Sequence, residues 1–340
     1  MTLYLKRGVN IEGWLWDYET AEKRSTLAFE PKDAERLAQL GFDHIRINVD
    51  EQHFWDEAGA PRRRGFDMVD GLLDTCAKLQ LSAVLDLHTL RSHHFNAPER
   101  LLFTDPACVD AFLDCWRKLS AHFGSRPNAM LAYEFMNEPV ADDPQDWNRV
   151  STKVHGLLRS LEPERTLVLG SNGWSGPNSF PELAVPEDSN LVLTFHYYQP
   201  FLLTHYAVSP KTNAAYRGQI HYPGCPIATE DFDALSPPDR EALRPGNVHY
   251  DRDVIAAEMR PALDVAARHD LPLYCGEWGC YDTVPRDVRL RWHRDMVSVL
   301  SDLGIGWAAY AHAGRWGVVR NDLHEMDTEL SDILLGVEQS

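Results

Sequence analysis

Eight short apolar runs recur along this 340-residue chain, and most of the gaps between them carry a stretch of helical periodicity. The runs lie at 7–11, 42–49, 82–88, 130–135, 166–170, 191–196, 271–276 and 305–311. They are nearly continuous in apolar residues, as strands covered on both faces are. Helical patterns fill the gaps at 31–40, 66–79, 105–123, 147–161, 251–269 and 285–303, with a short closing helix after Thr328. Gly41 marks the end of the first, and Asp105-Pro106 places a cap residue and a first-turn proline at the start of the third. Strands alternating with helices in this way predict a parallel sheet, and eight of them predict an α/β protein of the (β/α)8 barrel type.

The pattern fits one catalytic barrel domain over residues 1–340, since barrels reach this size undivided. One segment breaks the rhythm. Residues 199–250, between strand six and strand seven, are rich in Pro, Tyr, His and Gly and lack a period. Such a long connection reads as a rim insertion that walls one side of a cleft, or as a surface excursion with a short helix near 238–243.

The net charge of −18 argues against nucleic acid and anionic membranes as partners but leaves a neutral ligand such as a sugar unaffected. The six cysteines include no C-x-x-C pair and read as small buried hydrophobes in a reducing compartment, with a disulfide at Cys225 left open. The first residues carry no charged-then-apolar export pattern, and no apolar run approaches membrane-spanning length. The expectation is cytoplasmic, or secreted if an export signal has been removed. Oligomeric state is not legible.

Barrel active sites form where strand C-termini meet the following loops. The expected strand ends carry Arg46 and Asn48, Asp86 and His88, Asn137 and Glu138, His196 with Tyr197 and Tyr198, Glu277 and Trp278, and Trp307 with Tyr310 and His312. Glu138 and Glu277 each close an apolar run, on strands four and seven. Either alone would read as a solvated glutamate. Together at one rim they form the carboxylate pair that flanks a scissile bond in glycoside hydrolysis. Arg46 is costly near the end of an inner strand unless an acid pairs with it. Tyr197 must point away from Tyr198, because successive strand residues face opposite sides.

The chain resembles glycoside hydrolase family 5, a cellulase-like family within a larger clan of barrel glycosidases. The resemblance rests on Arg46 in His44-Ile45-Arg46-Ile47, His88 in Leu85-Asp86-Leu87-His88, the triplet Asn137-Glu138-Pro139, His196 and Tyr198 in Phe195-His196-Tyr197-Tyr198, Glu277 in Gly276-Glu277-Trp278-Gly279, and Trp307. It implies a retaining mechanism with Glu277 as nucleophile and Glu138 as acid/base. Arg46 and Tyr198 would hold Glu277 ionised, and Glu138 would keep the higher pKa. Asn137 would meet the sugar 2-hydroxyl, His88 and His196 would complete the polar shell, and Trp307 would supply an apolar floor. Trp14, Trp16, Trp174, Trp278 and Trp316 are further candidate sugar platforms.

No cofactor is implied. His88, His93, His94 and Asp86 raise a metal-dependent barrel hydrolase as a competing class, but a third and fourth ligand do not present themselves, so no metal is expected. A non-catalytic sugar-binding barrel is a further class, disfavoured because both acids are present. The expected substrate is a β-linked glucan-type oligo- or polysaccharide, cut in the manner of an endo-β-1,4-glucanase. The alternatives are an exo-acting β-glycosidase or a β-mannanase on soluble oligosaccharides.

Overall fold

The computed structural model describes residues 3, 5–15, 29–208, 216–320 and 325–336. Its eight strands close into a parallel barrel in chain order: β1 Arg7–Asn10, β2 His44–Asp50, β3 Ser82–Thr89, β4 Leu131–Glu134, β5 Leu167–Gly170, β6 Leu191–Tyr197, β7 Leu273–Trp278 and β8 Gly306–Ala309. The expected (β/α)8 fold is therefore present. The strands are almost wholly buried because each has a packed interior on one side and helices on the other.

Helix ends follow local chemistry. Pro31–Leu40 stops at Gly41, whose φ of 101° lets its N–H reach Ala38 and Leu37 carbonyls. Pro106–Phe123 and Pro144–Leu161 each begin after an aspartate, Asp105 and Asp143, that accepts a first-turn N–H. The pattern read as one helix over 251–269 is two, Arg252–Glu258 and Arg260–His269. The break falls at Met259, because Pro261 cannot donate to a continuing ladder. Between β5 and β6 the connection carries only a 3-10 helix, Pro177–Glu182.

The barrel interior changes character along its axis. Low in the barrel, Val84, Ala132 and Val168 form an apolar cluster, with Leu3, Leu5 and Val192 against it. Two residues further along, the inward positions turn polar: Val84 is followed by Asp86 and Ala132 by Glu134, with Arg46 and Asn10 beside them. The outward strand residues join the helices in a separate, much larger core.

The 199–250 insertion contains Phe201–Thr204, Thr229–Ala234 and Pro237–Leu243, the last at the expected place. Residues 209–215 of it lie outside the described residues. Much of it is fastened to the helix layer. The Tyr197 hydroxyl donates to Glu258 at 2.7 Å and the Tyr250 hydroxyl to the other oxygen of the same carboxylate at 2.9 Å. Tyr222 donates to Asp295 on the helix Arg286–Asp302 at 2.7 Å. Its first turn stays close to the barrel mouth, where Thr204 Oγ1 donates to the Tyr198 carbonyl at 2.6 Å. Among the described residues no helix is long and apolar enough to cross a membrane. All six cysteines are free, Cys225 included.

Candidate active site

Arg46 is fully buried at the centre of the polar layer. Its Nη1 donates to Glu277 Oε1 at 2.6 Å and to Asn10 Oδ1 at 2.8 Å. Its Nε and Nη2 straddle Glu134 at 2.7 and 2.8 Å, and Nη2 also meets Asn137 Oδ1 at 3.0 Å and Asp86 Oδ2 at 3.0 Å. Burial of so strong a cation is tolerable only because anions surround it. The sequence reading foresaw the Glu277 contact. Glu134 was not singled out, although the period-two alternation places it inward, two residues beyond Ala132 at the end of β4.

Glu277 reaches the interior through an irregularity. Residues 275 and 277 would share a face in an even strand, and Cys275 packs outward in the main core. The β6–β7 register shifts between Phe195 and His196, pairing Phe195 with Cys275 but His196 with Glu277. The bulge turns Glu277 inward beside Gly276. Gly276 is required there, since an added Cβ would stand 2.7 Å from Thr194 Oγ1. The second oxygen of Glu277 accepts from the Tyr198 hydroxyl at 2.9 Å.

Glu138 follows the end of β4 in a segment that still bonds its neighbours, Phe135 N–H to Val168 and Asn137 N–H to Leu87. Its φ is +42°, a left-handed conformation that a non-glycine residue adopts at a cost of roughly 1–3 kcal/mol. Strain of this kind concentrates at functional positions. His196 Nδ1 lies 2.9 Å from Glu138 Oε1. One oxygen of Glu138, one of Glu277 and a ring nitrogen of His196 fall within 4.8 Å of one another. Among the described residues this is the one group with metal-ligand spacing, and Asp86, His88, His93 and His94 do not make another.

Burial pushes both glutamates above the ordinary carboxylate range, but their neighbours differ. Around Glu277, Arg46 and the Tyr198 hydroxyl oppose the rise, while Asp86 adds to it. Around Glu138 the negative charge of Glu277 adds to it, and Glu138 is lifted well above its usual value. Burial also holds Asp86 and Glu134 up at about 7, and His88 down at about 3. His196 is lowered well below its usual value, by burial first and then Arg46. Neutral His88 has its Nδ1 2.6 Å from Asp86 Oδ2. Among the described residues the buried Nδ2 of Asn137 has no hydrogen-bond partner.

The candidate aromatic residues separate. Trp307 pairs in register with Arg7 and Cys275, faces the helix layer, and packs on Phe42 and Trp278. It is not a floor for a sugar; three residues on, Tyr310 has the inward parity and lies near Glu277. Trp278 is also an outward residue, fully buried against Trp292 and His293. The alternation that separates Tyr197 from Tyr198 applies equally to Trp278 and Glu277. Trp14 is buried against Phe29, and Trp316 is buried behind Tyr198, Tyr281 and Tyr310. Neither offers an open face. Trp16 lies outside the described residues. Trp174 is different: half exposed, at φ +58°, with its N–H bonded to Pro139 O and its indole Nε1 to Phe95 O at 3.2 Å. It stands on the rim beside Glu138.

Two acids within 4.8 Å of each other, one held by Arg46 and the Tyr198 hydroxyl and one against a neutral histidine, make a centre for glycosyl transfer. The family model "Cellulase (glycosyl hydrolase family 5)" matches residues 18–314. The chain belongs to glycosyl hydrolase family 5. It is a retaining glycoside hydrolase, as that family is. Endoglucanase C of Acetivibrio thermocellus is 29% identical over 335 residues, covering 97% of both chains. Cellodextrinase A of Ruminococcus flavefaciens is 27% identical over 303 residues, covering 88% of this chain and 83% of its own. Among solved structures, Thermotoga maritima Cel5A in complex with mannotriose superposes with a TM-score of 0.76 at 21% identity, covering 97% of each chain.

Proposed function

We propose that this family 5 hydrolase cleaves β-1,4-linked glucan chains internally, with Glu277 as nucleophile and Glu138 as acid/base. The observation that carries the residue roles is the asymmetry of the two carboxylates. Arg46 and Tyr198 each donate to one oxygen of Glu277, while Glu138 has His196 at one oxygen and feels the charge of Glu277 more strongly than that of Arg46. Their separation of less than 4.8 Å between nearest oxygens suits retention, which uses carboxyls ~5–5.5 Å apart, rather than inversion at ~6.5–9.5 Å.

In the first step a Glu277 oxygen forms a bond to the anomeric carbon. The bond from that carbon to the leaving oxygen breaks, and the proton of Glu138 passes to the leaving oxygen. With His196 Nδ1–H donating to Glu138 Oε1, the other oxygen carries the acid proton toward the cleft. In the second step Glu138 takes a proton from water, the water oxygen bonds the anomeric carbon, and Glu277 departs. Asn137 Nδ2 binds a sugar hydroxyl, His88 borders the same polar shell, and Trp174 offers its exposed face to a sugar on the acid/base side.

The β-glucan assignment draws on relatives named endoglucanase over nearly the full chain. The cellodextrinase relative favours soluble oligosaccharides as a second substrate form. Incubation with carboxymethylcellulose, cello-oligosaccharides and manno-oligosaccharides, with product lengths and anomers followed, tests the reading. Mixed-length β-anomeric cello-oligosaccharides are expected; release of single terminal sugars would refute internal cleavage, and α-anomers would refute double displacement.

A further inference from the structure

We propose that Glu134 is a positioning residue for hydrolysis: it clamps Arg46 edge-on, so that a single guanidinium N–H is delivered to Glu277. The inference rests on the reading of Glu277 as nucleophile.

The guanidinium has five N–H groups in a rigid fork. Glu134 occupies the Nε–Nη2 edge with two bonds, the bidentate arrangement that fixes both the plane and the rotation of the group. Asp86 and Asn137 touch only Nη2, at 3.0 Å each, and could not by themselves prevent the guanidinium plane from turning about the Cδ–Nε bond or the side chain from withdrawing. With the clamp in place, Nη1 alone points to Glu277 and shares its donors with Asn10. One donor steadies the nucleophile without fully quenching its charge. A guanidinium free to turn would offer its own two-toothed edge to Glu277, hold the carboxylate more tightly and make it a poorer nucleophile.

Position supports the role. Glu134 is the last residue of β4 and is fully buried, so no solvent competes for Arg46. It sits two residues beyond Ala132, on top of the apolar cluster at the barrel base, which fixes its height. The same strand and its extension thus carry the clamp at 134 and the acid/base at 138. Glu277 itself is faced by Arg46 from β2, Asp86 and His88 from β3, Glu138 beyond β4, His196 from β6 with Tyr198 just after it, and Tyr310 beyond β8, with Cys275 behind it on the outer side of β7 and Glu134 reaching it through Arg46. Of these, Glu134 is the one that acts on Glu277 chiefly through Arg46.

The probe is a fluorosugar β-cellobioside with a dinitrophenyl leaving group. That leaving group departs without a proton, so the rate of covalent inactivation reports the nucleophile apart from Glu138. In E134Q the acid limb of the inactivation rate should move to lower pH by roughly one unit, because Arg46, released from the Nε–Nη2 clamp, turns more of its charge onto Glu277. The plateau should fall by about tenfold as Arg46 turns onto Glu277. E134D keeps the charge but is too short to span both N–H groups. Its plateau should fall as well, with a smaller shift of the limb in the same direction. An unmoved limb in folded E134Q, or a wild-type plateau in E134D, overturns the clamp, and the E134D arm decides the matter if E134Q does not fold. Peptide mapping of the inactivated wild type tests the other reading separately: a label on any residue but Glu277 removes the nucleophile assignment whatever the variants do.

Discussion

At the scale of single residues, the site is built on unequal treatment of like groups. Glu138 and Glu277 have the same side chain and opposite needs, and what surrounds each supplies the difference. Glu277→Gln should abolish turnover on every substrate while the fold persists. Glu138→Gln should lower kcat/KM roughly 10²–10⁴-fold on cello-oligosaccharides and far less on dinitrophenyl cellobioside, whose leaving group needs no proton. Equal losses on both substrates would sink the acid/base assignment. Because burial raises both groups, kcat/KM should be bell-shaped with both limbs above the ordinary carboxylate range. The acid limb belongs to Glu277 losing its proton and the basic limb to Glu138 losing its own, so Glu138→Gln should erase only the basic one. The principal residues were legible because strand ends on a barrel share one rim. Trp307 was misread because a tryptophan at a strand end looks the same whether it faces the cleft or the helices, and only the register with Cys275 tells them apart.

At the scale of elements, the strands were legible as apolar runs, and their ends fall within a few residues of the expected places. The β6–β7 bulge was not, since nothing in residue type distinguishes a strand with one extra residue from an even one. Gly276 is its footprint. Gly276→Ala should be destabilising by about 1–3 kcal/mol and should lower kcat more than KM, because the added methyl meets Thr194 and shifts Glu277 off line. Denaturant unfolding and steady-state kinetics check this together; an enzyme with wild-type kcat would show that the bulge does not depend on the glycine. The helix expected over 251–269 breaks at Met259 because Pro261 is the second residue of its second half, a signal present in the sequence.

At the scale of the whole molecule, buried ionisable groups make stability depend on pH. His88, His93, His196, His205, His293 and His312 are all held below their usual pKa by burial. Their contribution is present above the unfolded value of about 6.5 and is lost as pH falls toward the folded values. Asp86, Glu134, Glu138 and Glu277 are raised, so theirs is full below about 4 and is lost as pH rises through the folded values. Six histidines outweigh four carboxyls between about pH 4.5 and 6.5, so Tm should climb across that window and turn down above neutrality. A flat Tm over the window would contradict the burial of these histidines. The insertion offers a different kind of leverage. Tyr197 and Tyr198 are neighbours at the end of β6, yet one bonds Glu258, the carboxylate that also holds Tyr250 at the far end of the 199–250 segment, and the other touches Glu277. Anyone exchanging that segment between relatives would therefore be working at a splice junction one residue from the reaction centre. Glu258 and Asp295, which stay behind in the host helices, would decide which grafts take.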